Sequence, residues 1–523
     1  MKTLKICFFI VLSIFMLSAC SLLPEISYKS KKRFGPNATS IEYSQQQGCI
    51  FERLDTEQYR SMPKFCEKQL FYPSRDGNQL MAVLEINEQG RFTDKSHIKQ
   101  VLEEIERSRK THETSVTIFV HGWNHGGTIE DSDLHNYRET LDKLYEEKTK
   151  YDNKKNIGIY IAWRGKTLPS VLNYTTFWKR KNISINIGKG DLAAFILDLE
   201  RITKQETGYK KATLILSGHS FGASALYSAL GPILISRFQD SLTEQKNSQA
   251  VPIRGVGDLV LLINPAIEAK QFYPLRETVW RHASKYKDQN EKQNPPIFQD
   301  NLRPLFVVLG SNGDFAVNNL FPAGRWLNTQ MQNYDRTEIV NGNGIPCEGT
   351  DCGTHKQVNK FCPVSGDCLI PEKFMDRRAI GNFPWFYTHW MTSSIDPIIS
   401  LNPFKTVKNI RDATSIQKDV KQECKSKENW LENVRVNDNN WEEEIGSLNS
   451  DIHLKLSTKR MNDNWKSYGV MFRSEPEYTT NSQSTTWYRN PYWFVRVNNK
   501  VIPGHSEIWN LQVGCFILSI VDI

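Results

Sequence analysis

The sequence predicts an α/β protein whose mainly parallel sheet is covered by helices on both faces. Short, continuous apolar runs recur along the 523 residues and alternate with segments of helical periodicity. Strands that are buried on both faces read in this way, whereas half-exposed antiparallel strands alternate apolar with polar residues. Glycine, histidine, serine and aspartate residues also follow directly after the apolar runs, where open parallel sheets carry their functional groups.

The expected elements follow one another in a regular order. An edge hairpin is expected over Gln69 to Asn87, around the turn signal Arg75-Asp76-Gly77-Asn78. Core strands are expected at Val116 to Val120, Ile157 to Trp163, Ala212 to Leu216, Leu259 to Ile263, Leu305 to Leu309 and Tyr492 to Val497. Helices are expected at Leu134 to Lys150, Asp191 to Lys204, from Phe221 onward, and at Leu511 to Val521.

Residues 1–19 have the pattern of a signal peptide. Two lysines precede an apolar stretch, Ile6 to Leu17, that is too short for an ordinary membrane span. The stretch ends in Leu17-Ser18-Ala19-Cys20, which resembles the lipobox of bacterial lipoproteins. The resemblance implies that Cys20 becomes the lipidated first residue and anchors the chain in the membrane. The alternative is an ordinary signal peptide with a coincidental cysteine.

The residues after the lipobox suggest where the chain is anchored. By resemblance to sorted lipoproteins, Ser21 in place of aspartate implies the outer membrane, with the protein facing the periplasm. Residues 20–66 then form a tether and N-terminal segment. The net charge of +8 is spread over the chain without a dense basic stripe, so no nucleic-acid partner is expected.

Eight cysteines remain after the signal peptide and Cys20 are set aside. An even number in an exported chain favours disulfides, with Cys49 to Cys66 and pairings within Cys347 to Cys368 as local candidates. A zinc site is the alternative for the second cluster, but the short CxxC pairs of such sites are missing, so no metal is expected. The eight are Cys49, Cys66, Cys347, Cys352, Cys362, Cys368, Cys424 and Cys515.

Gly-His-Ser-Phe-Gly, residues 218–222, follows an apolar run and precedes a helical segment. Glycines on both sides allow a sharp strand-to-helix turn that holds the Ser220 hydroxyl out at the corner. The amide of Phe221, in the first turn of the helix, would point toward the same space. The alternative for Ser220 is a helix-capping role. His219, beside it at the strand end, is expected to pack or to hydrogen-bond locally.

This chain resembles the α/β-hydrolase family over Gln69 to Asp314 and from Tyr492 to the C-terminus. Residues 218–222 look like its nucleophile elbow, and His121-Gly122-Trp123 looks like the loop that supplies a second oxyanion amide. The resemblance implies Ser220 as the nucleophile and the amides of Trp123 and Phe221 as the oxyanion hole. His121 is expected to order this loop by hydrogen bonding rather than to act as the base.

The resemblance also implies an acid after the seventh strand and a histidine after the eighth. "FVVLGSNGDFAV" gives Asp314, and "VIPGHSEIW" gives His505. Asp258 is the alternative acid, although it precedes its strand, and Asp314 read alone is an ordinary turn residue. His389 and His453 are the alternative bases. His505 is favoured because a base must be held on a rigid sheet, and it follows a strand-like run.

The predicted domain organisation has a core interrupted between strands seven and eight. Residues 67–320 form the α/β-hydrolase core, 321–485 a large insertion that acts as a cap or lid, and 486–523 the last strand, the His505 loop and a C-terminal helix. Trp385, Phe386, Tyr387 and Trp390 are candidates for the wall of an acyl site, with core packing as the alternative. Phe177 to Lys181 is interpreted as a solvated loop, with docking on lipid headgroups as the alternative.

The resemblance implies an enzyme that cleaves carboxylic ester bonds through an acyl-enzyme intermediate, without a cofactor. Its expected partners are a small-molecule or lipid ester and, through the N-terminal anchor, the membrane. Esterase, lipase and amidase activities stay open. The alternative from another class is a non-catalytic envelope lipoprotein that uses a hydrolase fold as a binding or scaffold module.

Overall fold

The computed structural model describes residues 70–74, 78–128, 131–141, 154–167, 176–244, 253–285, 304–334, 336–339, 368–383, 386, 389–393, 470–474, 491–499, 501–510, 513–514 and 516–517. The expected signal peptide, Cys20, the tether and every cysteine except Cys368 lie outside these residues, as does His453. The described part of the chain contains no helix long and apolar enough to cross a membrane.

A ten-stranded sheet organises the molecule, in the spatial order β1-β2-β4-β3-β5-β6-β7-β12-β10-β11. A separate two-stranded sheet pairs β8 with β9. The strands are β1 Phe71–Pro73, β2 Gln79–Glu85, β3 Glu113–Val120, β4 Lys154–Ala162, β5 Ala212–His219, β6 Leu259–Ile263, β7 Phe306–Ser311, β8 Arg336–Ile339, β9 Cys368–Pro371, β10 His389–Ser393, β11 Val470–Ser474 and β12 Tyr492–Val497.

The sheet is parallel everywhere except at its two edges. Every neighbouring pair from β2 through β10 is parallel, whereas β1 and β11 run antiparallel to β2 and β10. The pair β1–β2 is the expected edge hairpin, with Phe71 opposite Ala82. The mainly parallel α/β architecture predicted from the sequence is therefore confirmed.

Helices connect the strands, as parallel pairing requires. One more helix spans 132–141, and residues 513–514 and 516–517 of the expected last helix are helical. Single turns of 3₁₀ helix cover Ala269–Phe272 and Ile380–Asn382, and π-helical turns cover Gly188–Leu192 and Ala316–Leu320. The other α-helices of the described residues are α1 Lys95–Thr111, α2 Phe177–Ile187, α3 Ala193–Lys204, α4 Phe221–Glu244, α5 Tyr273–Lys285, α6 Phe321–Asn328 and α7 Glu372–Arg377.

Two hydrophobic cores lie on opposite faces of the sheet because side chains alternate along a strand. On β3, Ile118 packs into the core shared with α1, α3 and α4, while Phe119 packs into the other core with the 132–141 helix and the C-terminal segment. Both faces of the strand are buried. This explains why the strands read as continuous apolar runs in the sequence.

Two strands of the segment 321–485 extend the sheet itself. β10 lies beside β12, and β11 pairs with β10. Phe386 is fully buried in the core shared with α1, α3 and α4, where its ring packs edge-on against Phe383 with ring centroids 4.9 Å apart. It is therefore core and not an exposed wall; Trp385 and Tyr387 lie outside the described residues.

The segment Phe177 to Lys181 begins α2, so its interpretation as a solvated loop was wrong. Two of its basic side chains point into the protein and are buried. Arg180 Nη1 lies 2.6 Å from Glu88 Oε1, and Lys181 Nζ lies 2.7 Å from Glu268 Oε1. Carboxylates supplied by distant parts of the chain neutralise these charges, and a single sequence does not reveal such partners.

Candidate active site

Ser220 stands at the corner between β5 and α4. The strand ends at His219, the helix begins at Phe221, and the Ser220 backbone has a φ of 54°. A non-glycine residue in this left-handed region is strained and persists only where its surroundings enforce the conformation. The Ser220 amide donates to the Ile263 carbonyl oxygen at 3.0 Å, which ties the corner to the end of β6.

Gly222 and Gly122 permit the close packing of backbone around this corner. A Cβ on Gly222 would lie 1.9 Å from the Val120 carbonyl oxygen, so only glycine lets α4 begin against the end of β3. A Cβ on Gly122 would lie 3.0 Å from the Ser220 Cβ. The loop after β3 therefore packs directly against the serine.

His505 makes hydrogen bonds with both Ser220 and Asp314. Its Nε2 lies 2.8 Å from Ser220 Oγ, and its Nδ1 lies 2.6 Å from Asp314 Oδ2. A carboxylate accepts the proton of Nδ1, so the ring tautomer leaves Nε2 to accept the hydroxyl proton. The structure thus brings His505 together with Asp314 and Ser220, which lie 191 and 285 positions away from it in the sequence.

The Asp314 carboxylate is fixed through both oxygens. Its side chain is fully buried, Oδ1 accepts the amide of Val317 at 2.9 Å, and Oδ2 accepts His505 Nδ1. Asp258, the alternative acid, lies directly before β6, at the amino ends of the strands and therefore at the opposite end from Ser220. There it accepts the Leu214 amide at 2.7 Å and pairs with Lys204.

His389, the alternative base within the described residues, does not lie at the Ser220 corner. His389 is the first residue of β10 and is in register with Val495, within the parallel part of the sheet. Ser220 instead lies beyond the carboxyl end of its strand. His505 also follows its strand, β12, and the parallel pairing of β12 with β7 brings its loop to the same edge as Asp314.

His121 is held inside the loop after β3 by both of its ring nitrogens. Nδ1 lies 2.8 Å from the Gly122 carbonyl oxygen, and Nε2 accepts the Trp163 amide at 3.0 Å. The ring also stacks on Trp163, with an interplanar angle of 7°. Burial lowers the pKa of His121 to about 4, so the ring is neutral at pH 7. This geometry suits an ordering role and leaves neither nitrogen available as a base.

The two expected oxyanion residues are placed next to Ser220. Phe221 is the first residue of α4, so its amide has no acceptor within the helix. Trp123 follows Gly122, which packs on the serine. The two side chains meet through Phe177, whose ring centroid lies 5.2 Å from that of Trp123 and 4.8 Å from that of Phe221. Apolar rings therefore border the corner.

A second polar group, not anticipated from the sequence, lies behind the site. His125 Nδ1 lies 3.2 Å from Asp131 Oδ1, and Nε2 lies 3.5 Å from Asp133 Oδ2. Burial alone would lower the pKa of His125, but Asp131 and Asp133 raise it. Burial raises the pKa of Asp133. Within the described ranges, no group of three or more histidine, cysteine or acidic residues has the arrangement of a metal site.

The sequence reasoning also missed the side chains that touch the His505 loop. His219, Asn264 and Ser311 donate hydrogen bonds to carbonyl oxygens of residues 502–505. Each is a polar residue at or just after the end of an apolar strand, and that position is the signal that could have identified them.

Comparisons of the chain with protein families, with curated proteins and with solved structures found no match. The chemistry of the site is therefore inferred from its own geometry.

Proposed function

We propose that the chain is a serine hydrolase of the α/β-hydrolase type that cleaves carboxylic ester bonds through an acyl-enzyme. One observation carries the proposal: a continuous chain of hydrogen bonds runs from Asp314 through His505 to Ser220, and the serine occupies a strained corner. A serine hydroxyl needs both a base within reach and a group that orients the base. This arrangement supplies both.

The strand order supports the assignment to the α/β-hydrolase type. From β1 to β12 the sheet runs β1-β2-β4-β3-β5-β6-β7-β12, with the serine after β5, the acid after β7 and the histidine after β12. Nucleophile, acid and base therefore follow one another in the order expected for α/β-hydrolases.

The proposed reaction begins with proton transfer from Ser220 Oγ to His505 Nε2. Oγ attacks the ester carbonyl carbon, and the C=O electron pair moves to oxygen to form a tetrahedral oxyanion. As this collapses, the C=O bond re-forms, the C–O bond to the leaving group breaks, and the imidazolium gives its proton to the departing alkoxide oxygen, which leaves as the alcohol. Water then attacks the acyl-enzyme by the same steps, releasing the acid and restoring Ser220.

The protein's electrostatic contribution comes from groups that are already in place. Asp314 holds the imidazole in one tautomer and stabilises the imidazolium. The amides of Phe221 and Trp123 are the proposed oxyanion donors, each contributing about 3 kcal/mol to the barrier reduction. Every step uses side chains and amides of the chain and requires no cofactor.

Replacement of Ser220 by alanine tests this function. Ser220→Ala is expected to abolish turnover of short p-nitrophenyl esters and labelling by a fluorophosphonate probe. Ser228→Ala, two turns along α4, is the matched control and should retain both. Full turnover by Ser220→Ala would refute the assignment. Absence of both turnover and labelling in the parent protein would favour a binding or scaffold role.

The cell-envelope location is part of the proposal, and it is supported by the lipobox-like sequence ending in Cys20. Cys20→Ser is expected to abolish incorporation of labelled palmitate and to release the protein from the membrane fraction. Retention of label in that variant would contradict the anchor without bearing on Ser220. A series of p-nitrophenyl esters of increasing acyl length would distinguish an esterase from a lipase.

A further inference from the structure

The loop that carries His505 is held by side chains from three neighbouring strands. Ser311, the last residue of β7, donates to the Ile502 carbonyl oxygen. Asn264, directly after β6, donates through Nδ2 to the carbonyl oxygens of Gly504 and His505, both at 3.1 Å. These contacts hold the loop through its main chain.

His219 supplies the third contact, from the end of β5. Its Nε2 donates to the His505 carbonyl oxygen at 2.8 Å, and the two rings lie 4.9 Å apart. The ring is 2% exposed, and burial is the main cause that lowers its pKa, so it is neutral at pH 7. Its Nδ1 faces Asp133 Oδ2 at 4.0 Å. The residue next to the nucleophile thus contacts the main chain of the residue proposed as the base.

Asn264 is well suited to its position. It has a φ of 43°, a left-handed conformation that asparagine tolerates better than most residues. Its backbone N–H donates to the Leu309 carbonyl oxygen at 2.7 Å, and its side-chain Oδ1 accepts the backbone N–H of Ser311 at 3.0 Å. The same side chain therefore ties β6 to β7 and both to the His505 loop.

We propose that His219, Asn264 and Ser311 are positioning residues that fix the His505 imidazole between Ser220 and Asp314; the inference rests on the proposed function. The loop over 501–510 consists of turns and bends, so no strand ladder holds it. The carbonyl oxygens of Ile502, Gly504 and His505 are bonded instead by side chains at the ends of the sheet strands. Catalytic hydrogen bonds lose efficiency when a group moves by about 1 Å. The clamp formed by His219, Asn264 and Ser311 therefore governs turnover.

Two substitutions at His219 separate its hydrogen bond from its volume. His219→Phe fills the space but cannot donate, and it is expected to lower kcat about 100-fold with KM nearly unchanged. His219→Gln can place an amide donor near the same carbonyl and should recover most of that loss. His112→Gln, at the amino end of β3, is the matched control. Equal kcat values for His219→Phe and the parent protein would overturn the proposal.

Asn264→Gly provides an independent test if His219→Phe fails to fold. Glycine accepts the left-handed backbone but removes the side-chain donor. We expect a loss of kcat of about 10-fold or more in Asn264→Gly alone. Where His219→Phe does fold, the double variant should show a non-additive effect, because both donors hold the His505 carbonyl oxygen. Unchanged kcat in Asn264→Gly, or strict additivity in the double variant, would contradict a shared clamp.

A spectroscopic readout separates this proposal from the proposed function. The proton between His505 Nδ1 and Asp314 gives a downfield NMR resonance that can be assigned by its loss in His505→Gln. In His219→Phe this resonance should broaden and exchange faster with water, whereas His112→Gln should leave it unchanged. The result does not depend on turnover, so it tests the clamp even if Ser220→Ala stays active. An unaltered resonance in His219→Phe would refute the clamp alone.

Discussion

Asp314 Oδ2 and His505 Nδ1 lie 2.6 Å apart, and the carboxylate is completely buried. Asp314→Asn replaces an acceptor by an amide that can present an N–H to the ring, which favours the wrong tautomer. We expect kcat to fall by about 10³- to 10⁴-fold with little change in KM. Steady-state kinetics with a p-nitrophenyl ester would measure this. Asp258→Asn is the control, and a loss of kcat there equal to that of Asp314→Asn would contradict the assignment.

The buried ring of His121 makes stability depend on pH. Its pKa is about 4 in the folded protein and about 6.5 in an unfolded chain. Between these two pH values the ring is protonated in the unfolded state but not in the folded state. The contribution of neutral His121 to stability is therefore complete above pH 6.5, and between pH 6.5 and pH 4 it falls by about 1.4 kcal/mol per pH unit. The free energy of unfolding, measured with urea at pH 7, 6 and 5, should change less with pH in His121→Phe than in the parent protein. Identical slopes would contradict the prediction.

Gly222→Ala is expected to distort the nucleophile corner. The added Cβ would lie 1.9 Å from the Val120 carbonyl oxygen and 2.5 Å from that of His121, so α4 must shift. A displacement of about 1 Å would reduce kcat about 100-fold. Gly231→Ala, on the same helix, is the control, because the nearest atom to its Cβ would be in the Tyr227 ring at 3.1 Å. Similar kcat values for the two variants would show that the corner is not constrained as described.

The buried pair Lys181 and Glu268 should respond asymmetrically to mutation. Glu268→Gln leaves Lys181, which is 4% exposed, without its carboxylate, and we expect a loss of about 3 kcal/mol in the free energy of unfolding. Lys181→Met costs less, because Arg325 Nε still lies 3.1 Å from Glu268 Oε1. Urea unfolding of the two variants measures the difference. Equal losses would mean that Arg325 does not compensate.

Much of the fold could be predicted from the sequence because buried parallel strands have a strong signal. The edge hairpin and all six expected core strands are present, with boundaries that differ by a few residues. β3 and β4 begin three residues earlier than expected. Their first residues are polar, as in Glu113 and Lys154, so they lie outside the apolar runs that predicted the strands. Ser220, Asp314 and His505 each follow an apolar run, and the resemblance to the α/β-hydrolase family implies their roles; the structure brings the three together.

Other features depend on contacts that a single sequence does not display. β10 and β11 have only five residues each and lie in a polar segment, so their apolar signal is weak. The burial of Arg180 depends on Glu88, and that of Lys181 on Glu268, far away in the chain. His219 and Asn264 could be singled out by their positions at strand ends, but their acceptor is a backbone oxygen, which every residue possesses, so the sequence does not identify the residue that they bind.

The place of β12 in the sheet has a consequence for biosynthesis. β12 lies between β7 and β10, both of which are made earlier, so its two neighbours cannot complete their pairing until it is inserted. A nascent or truncated polypeptide would already carry the reactive alcohol and the acid but would lack the imidazole. If the proposed function is correct, hydrolytic competence would therefore be acquired only when β12 enters the sheet, after most of the chain had been translated.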